Sequence, residues 1–308
     1  MQTKIEFHGK GGELFLKMLL GGFLTAITLG IYAPWFMADM NRYLYSKTTL
    51  AGRDYPVHPR FAGAGWEIFK MNLLGGFLCG ITLGIYTPWF MARVCRYWAE
   101  HTEAVSESGR SYRLSFSFTG GALFGALFVG GLLSGVTLGI YLPWFMCKLA
   151  RLFAESVALI DAESGEAVGQ VGFEGQGGEL LGMVLLNGLL CSVTLGIYTP
   201  WAMVKVMRFW AGYTRVANDG QTFALDYLGT GGQLFGRLIV NGLLCGITLG
   251  IYSSWALVDM LRFHCGKLVA DAKEVAPAVK PPARAPAAQL PAAAVIAAAK
   301  PREQARVR

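Results

Sequence analysis

Residues 28–36 read TLGIYAPWF. The phrase returns as TLGIYTPWF from Thr82, TLGIYLPWF from Thr137, TLGIYTPWA from Thr194 and TLGIYSSWA from Thr248. Its glycine suits a helix C-terminus, and in four copies a proline follows that is pre-organised to open another helix. Thr87 and Thr199 precede two of those prolines as N-caps. Tyrosine and tryptophan flank the turn, as they do where apolar and aqueous surroundings meet. The phrase predicts a helix–turn–helix corner, five times over.

The five threonines are separated by 54, 55, 57 and 54 residues, a regular internal repeat. The units run 1–60, 61–115, 116–170, 171–226 and 227–270. Each opens on an aromatic residue (Phe7, Phe61, Phe116, Phe173, Tyr227) and carries an arginine fourteen residues after its threonine. Segments between corners, such as 214–227 around Asn218-Asp219-Gly220, alternate apolar and polar residues about a turn, the pattern of a β-hairpin. The remainder, 271–308, is rich in Ala and Pro and carries seven Lys/Arg against three Asp/Glu. Such a composition reads as a disordered basic tail.

Composition directs the chain to a membrane. Hydrophobic residues make up 54% and charged residues 15%, against about 25% charged in ordinary globular chains. Mean hydropathy is +0.42. The net charge of +7 is dispersed between apolar runs, which excludes a nucleic-acid-binding stripe and favours anionic lipid head groups as partners. Lys4 and Lys10 before an apolar run imitate a signal peptide, but the segment recurs four more times and reads as a first membrane segment.

The first helix of each unit is a candidate span. Residues 14–32 would extend about 28 Å, close to the roughly 30 Å of bilayer hydrocarbon. Small residues recur there every fourth position: Gly22, Ala26 and Gly30; Gly76, Gly80 and Gly84; Gly131, Gly135 and Gly139; Gly188, Ser192 and Gly196; Gly242, Gly246 and Gly250. On a helix they form one stripe, expected to let another backbone pack closely in lipid. Cys79, Cys191 and Cys245 share one repeat position with Thr25 and Ser134, a packing pattern rather than a ligand cluster.

The resulting fold class is a mainly α, polytopic membrane protein. Five units of Gly-rich helix, corner and amphipathic helix are joined by short cytoplasmic β-hairpins, with both termini cytoplasmic. Candidate interface residues are Arg42, Arg96, Arg151, Arg208 and Arg262, with Glu13, Glu67 and Glu179 at the helix starts. In a tight hairpin Arg208 would face Asn187, and Arg262 would face Asn241. If the second helix spans, these arginines approach the bilayer midplane at a cost of about 2.5–3.5 kcal/mol each. A helix lying at the interface, or re-entering, avoids that cost, and both arrangements stay open.

Four histidines fall at different repeat positions, and no HExxH, GxSxG or phosphate-loop motif occurs. No catalytic, cofactor-binding or metal-ligating residue is expected, nor an enzyme. FHGKGGELF from Phe7, ITLGIYAPWF from Ile27, Arg42-Tyr43 and TTLAGRDY from Thr48 resemble the YjgN-like family, bacterial inner-membrane proteins of unknown function. The resemblance implies an inner-membrane location and supplies no activity. Two functions fit: a membrane scaffold that organises lipid or docks cytoplasmic protein partners, or a transporter or channel for small anions along the arginines.

Overall fold

The computed structural model describes residues 2–51, 56–107, 109–218 and 221–271. The tail beyond Asp271 and the turn residues Asp219 and Gly220 lie outside these. Each unit supplies two strands and, between them, two helices. Unit 1 has β1 (Gln2–Phe7), α1 (Gly11–Ile27), α2 (Ala33–Ser46) and β2 (Thr48–Ala51). Unit 2 has β3 (Val57–Phe61), α3 (Gly65–Ile81), α4 (Thr87–Glu100) and β4 (Thr102–Ser106). Unit 3 has β5 (Ser111–Phe116), α5 (Gly120–Val136), α6 (Leu142–Ser156) and β6 (Val157–Asp161). Unit 4 has β7 (Ala167–Phe173), α7 (Gly177–Val193), α8 (Thr199–Tyr213) and β8 (Thr214–Asn218). Unit 5 has β9 (Gln221–Tyr227), α9 (Gly231–Ile247), α10 (Ser253–Lys267) and β10 (Leu268–Asp271).

The strands overturn the expected fold class. They are not separate hairpins linking membrane helices; they close into one antiparallel ten-stranded barrel. Neighbouring units pair through strands such as β3 with β2 and β9 with β8, and β1 pairs with β10 to complete the circle. Phe7 lies opposite Thr48 and Phe61 opposite Thr102, so every helix pair leaves from the same rim. Closure leaves no unpaired sheet edge. One barrel face carries the buried Phe7, Phe61, Phe173 and Tyr227, while the other carries exposed charges such as Lys4, Glu6, His58 and Arg60.

The polytopic reading fails on length. Among the described residues no helix is long and apolar enough to cross a membrane. The first helices have 17 residues, about 25 Å, and their lower turns pack at the barrel rim. They end before the predicted 32nd residue because the corner terminates them. Gly30 N–H bonds the Thr25 carbonyl (2.8 Å) and Leu29 N–H bonds that of Ala26 (3.1 Å), the paired bonds of a Schellman cap. Thr28 seals the turn, donating to Leu24 O (2.7 Å) and accepting from Tyr32 N–H (3.0 Å). The other four threonines accept the same bond at 3.0–3.1 Å. The second helix begins one residue before proline, with Tyr32 and its equivalents at the N-cap; Thr87 and Thr199 are its first helical residues.

Five small cores sit where consecutive units meet. In the first, Ala38 of α2 meets Phe61 and Ile68 of unit 2. In the last, Val258 of α10 meets Phe7 and Leu14 of unit 1. Each second helix thus packs on the first helix of the following unit. In unit 3, Phe118 is buried at this junction where the other units have glycine, two residues after the expected Phe116.

Candidate functional site

The repeated arginines do not face the asparagines of their own hairpins. Because each second helix packs on the next unit, its arginine reaches that unit's strand–helix loop. Arg42 Nη2 donates to Gly63 O (2.7 Å) and Arg208 Nη2 to Gly229 O (2.7 Å). Arg151 reaches Gly175 O (3.4 Å), and Arg262 closes the circle on Gly9 O (2.5 Å). Charged donors on carbonyls make strong hydrogen bonds, so these four arginines staple unit to unit. Among the described residues Arg96 makes no such bond. Asn241 instead accompanies Asp259, which also pairs with Arg237, while the buried Asn187 has no hydrogen-bond partner among the described residues.

The glutamates close the base of their own hairpins. Glu13 pairs with Lys47 (3.4 Å), Glu67 with His101 (3.4 Å), and Glu179 accepts from Tyr213. Lys47, His101 and Tyr213 occupy one repeat position at the end of the second helix. Tyr97 adds to this clamp, donating to Glu67 Oε2 (3.0 Å) and accepting from Ala64 N–H (2.9 Å). Burial, and then Glu67 beside it, push the Tyr97 phenol up to about 12. A raised folded-state value favours the fold while the phenol keeps its proton. That contribution is whole below the ordinary tyrosine value of about 10 and is lost as pH rises through 12. An absorbance titration of the phenolates should show a late step that Tyr97→Phe removes; its persistence would refute the assignment.

The glycine stripe also needs correction. A Cβ on Gly22, Gly30, Gly76, Gly80, Gly131, Gly135, Gly139, Gly188, Gly242, Gly246 or Gly250 would meet nothing within 4 Å. At Gly84 and Gly196 it would meet only a threonine hydroxyl, at 3.9 Å. Among the described residues the stripe therefore packs against no other helix. Close approach occurs one residue away, where a Cβ on Gly21 would lie 2.0 Å from the Phe36 ring. Gly75 meets Phe90 and Gly130 meets Phe145 in the same way. Units 4 and 5 replace that glycine by Asn187 and Asn241 and the phenylalanine by Ala202 and Ala256. This exchange of volume was visible in the sequence and identifies the real contact.

What stands out at the far end of the hairpins is exposure. Leu29, Leu83, Leu138, Leu195 and Leu249 are 92–94% exposed. All five hold left-handed backbone angles, φ 49–50°. Around them Phe23, Ile27 and Ile31, with their counterparts, form further exposed apolar surface. A tyrosine and a tryptophan stack beneath each tip, with centroids 6.0–6.3 Å apart. The charges stand lower. On the second helices the first charges, Asp39, Arg93, Lys148, Lys205 and Asp259, come five residues past Pro34 or its equivalent, about 8 Å along the helix, with Arg42 at about 12 Å and Lys17 about 16 Å below Thr28.

Fold and site together define a closed ring of five helical hairpins with bare apolar tips, raised on one rim of a β-barrel. The profile of a bacterial protein family of unknown function, DUF898, matches residues 2–58, 168–239 and 222–275, more than half of the chain. The chain belongs to this family. It is 40% identical over 70 residues to the inner membrane protein YjgN of Salmonella typhimurium, covering 23% of this chain and 17% of that protein. It is 43% identical over 49 residues to YjgN of Escherichia coli K12, covering 16% and 12%. The matched stretches thus span less than a fifth of either relative. These matches bear out the YjgN-like resemblance, and no solved structure matches.

Proposed function

We propose that the protein is a bacterial inner-membrane protein inserted from one side: its barrel lies on the cytoplasmic surface, and its five hairpin tips dip into the adjacent leaflet. The observation carrying this reading is the set of tip leucines, exposed at 92–94% on strained backbone. A patch of this size on a folded protein marks an interaction surface. Lipid suits it for three reasons. The charge-free apex, about 8 Å deep along the second helices, reaches partway into one leaflet's half of a roughly 30 Å hydrocarbon core. The Tyr–Trp pairs ring it at the depth that such side chains favour. The relatives are named inner membrane proteins.

Five hairpins in one leaflet displace lipid on that side alone, which would order or bend the membrane. The protein then acts as a lipid-organising scaffold, with anionic head groups beside the basic residues at the hairpin bases and cytoplasmic partners on the barrel. The transporter reading loses its motive, because four of the five arginines that suggested an anion path bond backbone carbonyls.

Depth measurements test the insertion. Spin labels at Leu29→Cys and Leu195→Cys, in vesicles, should be accessible to oxygen and shielded from a polar relaxant on either side. Accessibility to an impermeant reagent on the opposite face would refute one-sided insertion.

A further inference from the structure

Unit 2 departs from the other four at Lys70 and Arg96, which face one groove, an open cleft of about 380 Å³ between α3 and α4. Arg96 lines it and, unlike the four other repeated arginines, bonds no carbonyl; the next unit has Phe118 where their acceptor loops have glycine. Beside it stands Arg93, at a position that is basic also in units 3 and 4 (Lys148, Lys205) but acidic in units 1 and 5, where Asp39 and Asp259 neutralise Arg42 and Arg237. Lys70 completes the set, 5.0 Å over the Trp66 ring, where other units have Leu16 or glycine. Among the described residues none of the three forms an ion pair. Two carboxylates line the groove, but Glu67 is held by Tyr97 and His101, which leaves Glu100 against three cations. Met71 and Leu74 form an apolar wall that leads along α3 toward the exposed Phe77.

We propose that this groove binds the phosphodiester of an anionic phospholipid. Arg93 and Arg96 take the phosphate oxygens, Lys70 takes the remaining negative charge, and an acyl chain lies along Met71 and Leu74. Guanidinium groups suit this task because they donate in a planar fork that matches phosphate oxygens. A lipid fits better than a free anion because the apolar wall continues toward the membrane-facing tip. The site rests on the one-sided insertion proposed above, which sets Arg96, eight residues past Pro88, at head-group depth.

The test uses the full chain, reconstituted with phosphatidylglycerol or phosphatidylcholine, then washed in detergent and weighed by native mass spectrometry. Wild type should retain phosphatidylglycerol in preference to phosphatidylcholine. Arg93→Gln with Arg96→Gln should lower that retention by about tenfold or more, as expected for losing charged hydrogen bonds. The double variant should still float with vesicles and melt where wild type melts, since neither arginine staples the ring. Glu100→Gln should raise retention, which provides a gain that no folding defect can imitate. Equal retention by the double variant, no preference between lipids, or displacement by millimolar inorganic phosphate would overturn the site. A wild-type chain that floats with no vesicle would instead overturn insertion itself, and the groove assignment with it.

Discussion

Replacing Leu29, Leu83, Leu138, Leu195 and Leu249 together by asparagine should release the protein from membranes without lowering its resistance to heat. Each leucine is the αL residue of a helix cap, a conformation that costs an ordinary L-residue about 1 kcal/mol and that asparagine tolerates. The exchange thus relieves strain at sites that touch little else in the chain. Burying a leucine is worth roughly 1.5–3 kcal/mol, so the five tips together supply on the order of 10 kcal/mol of insertion energy. Loss of vesicle flotation with an unchanged or raised melting temperature is the expected pair of results. A variant that floats as well as wild type would show that the tips do not hold the membrane. The leucines are hard to explain otherwise, because glycine or asparagine would serve the fold better at all five corners.

The second large effect separates two adjacent glycines. Gly120→Ala should destabilise the protein by about 2–3 kcal/mol, a typical overpacking loss, whereas Gly121→Ala should be neutral or stabilising by up to about 1 kcal/mol. A Cβ on Gly120 would lie 2.4 Å from Trp89 Cδ1 and 2.6 Å from its Cα, and the latter cannot rotate away. Around Gly121 nothing lies within 4 Å. The contact joins unit 2 to unit 3, and its counterparts are Trp35 on Gly65, Trp144 on Gly177, Trp201 on Gly231 and Trp255 on Gly11. Denaturation of both variants in the same detergent decides the matter; equal stabilities would mean that this contact does not hold the units together.

Much of the corner was legible. The Thr and Gly of TLGIY end one helix, and proline stands at the start of the next, because both roles depend on local backbone geometry. The paired helices and the strands between them could also be drawn from local pattern. Closure could not, since β1 and β10 meet through residues such as Thr3 and Ala270 that lie far apart in the chain. Hydropathy misled for a physical reason: it records how apolar a segment is, not where its helix stops. Residues 14–32 have the composition of a span, yet the Schellman cap ends α1 at Ile27. The destination of Arg208 was missed similarly. A tight hairpin would have put it beside Asn187, but α8 turns that side chain to the loop after β9.

Closure also fixes number. An open solenoid can gain or lose a unit and needs specialised ends to cover its last faces. Here Trp255 meets Gly11 as every other unit meets its successor, and Arg262 meets Gly9 as the arginines of units 1, 3 and 4 meet theirs, so no unit is terminal and none needs a cap. A circle tolerates one circumference: adding or deleting a unit would change the angle at every joint at once. Evolution can therefore retune single members of this ring, as it has around Lys70 and Phe118, while the count of five stays locked by geometry.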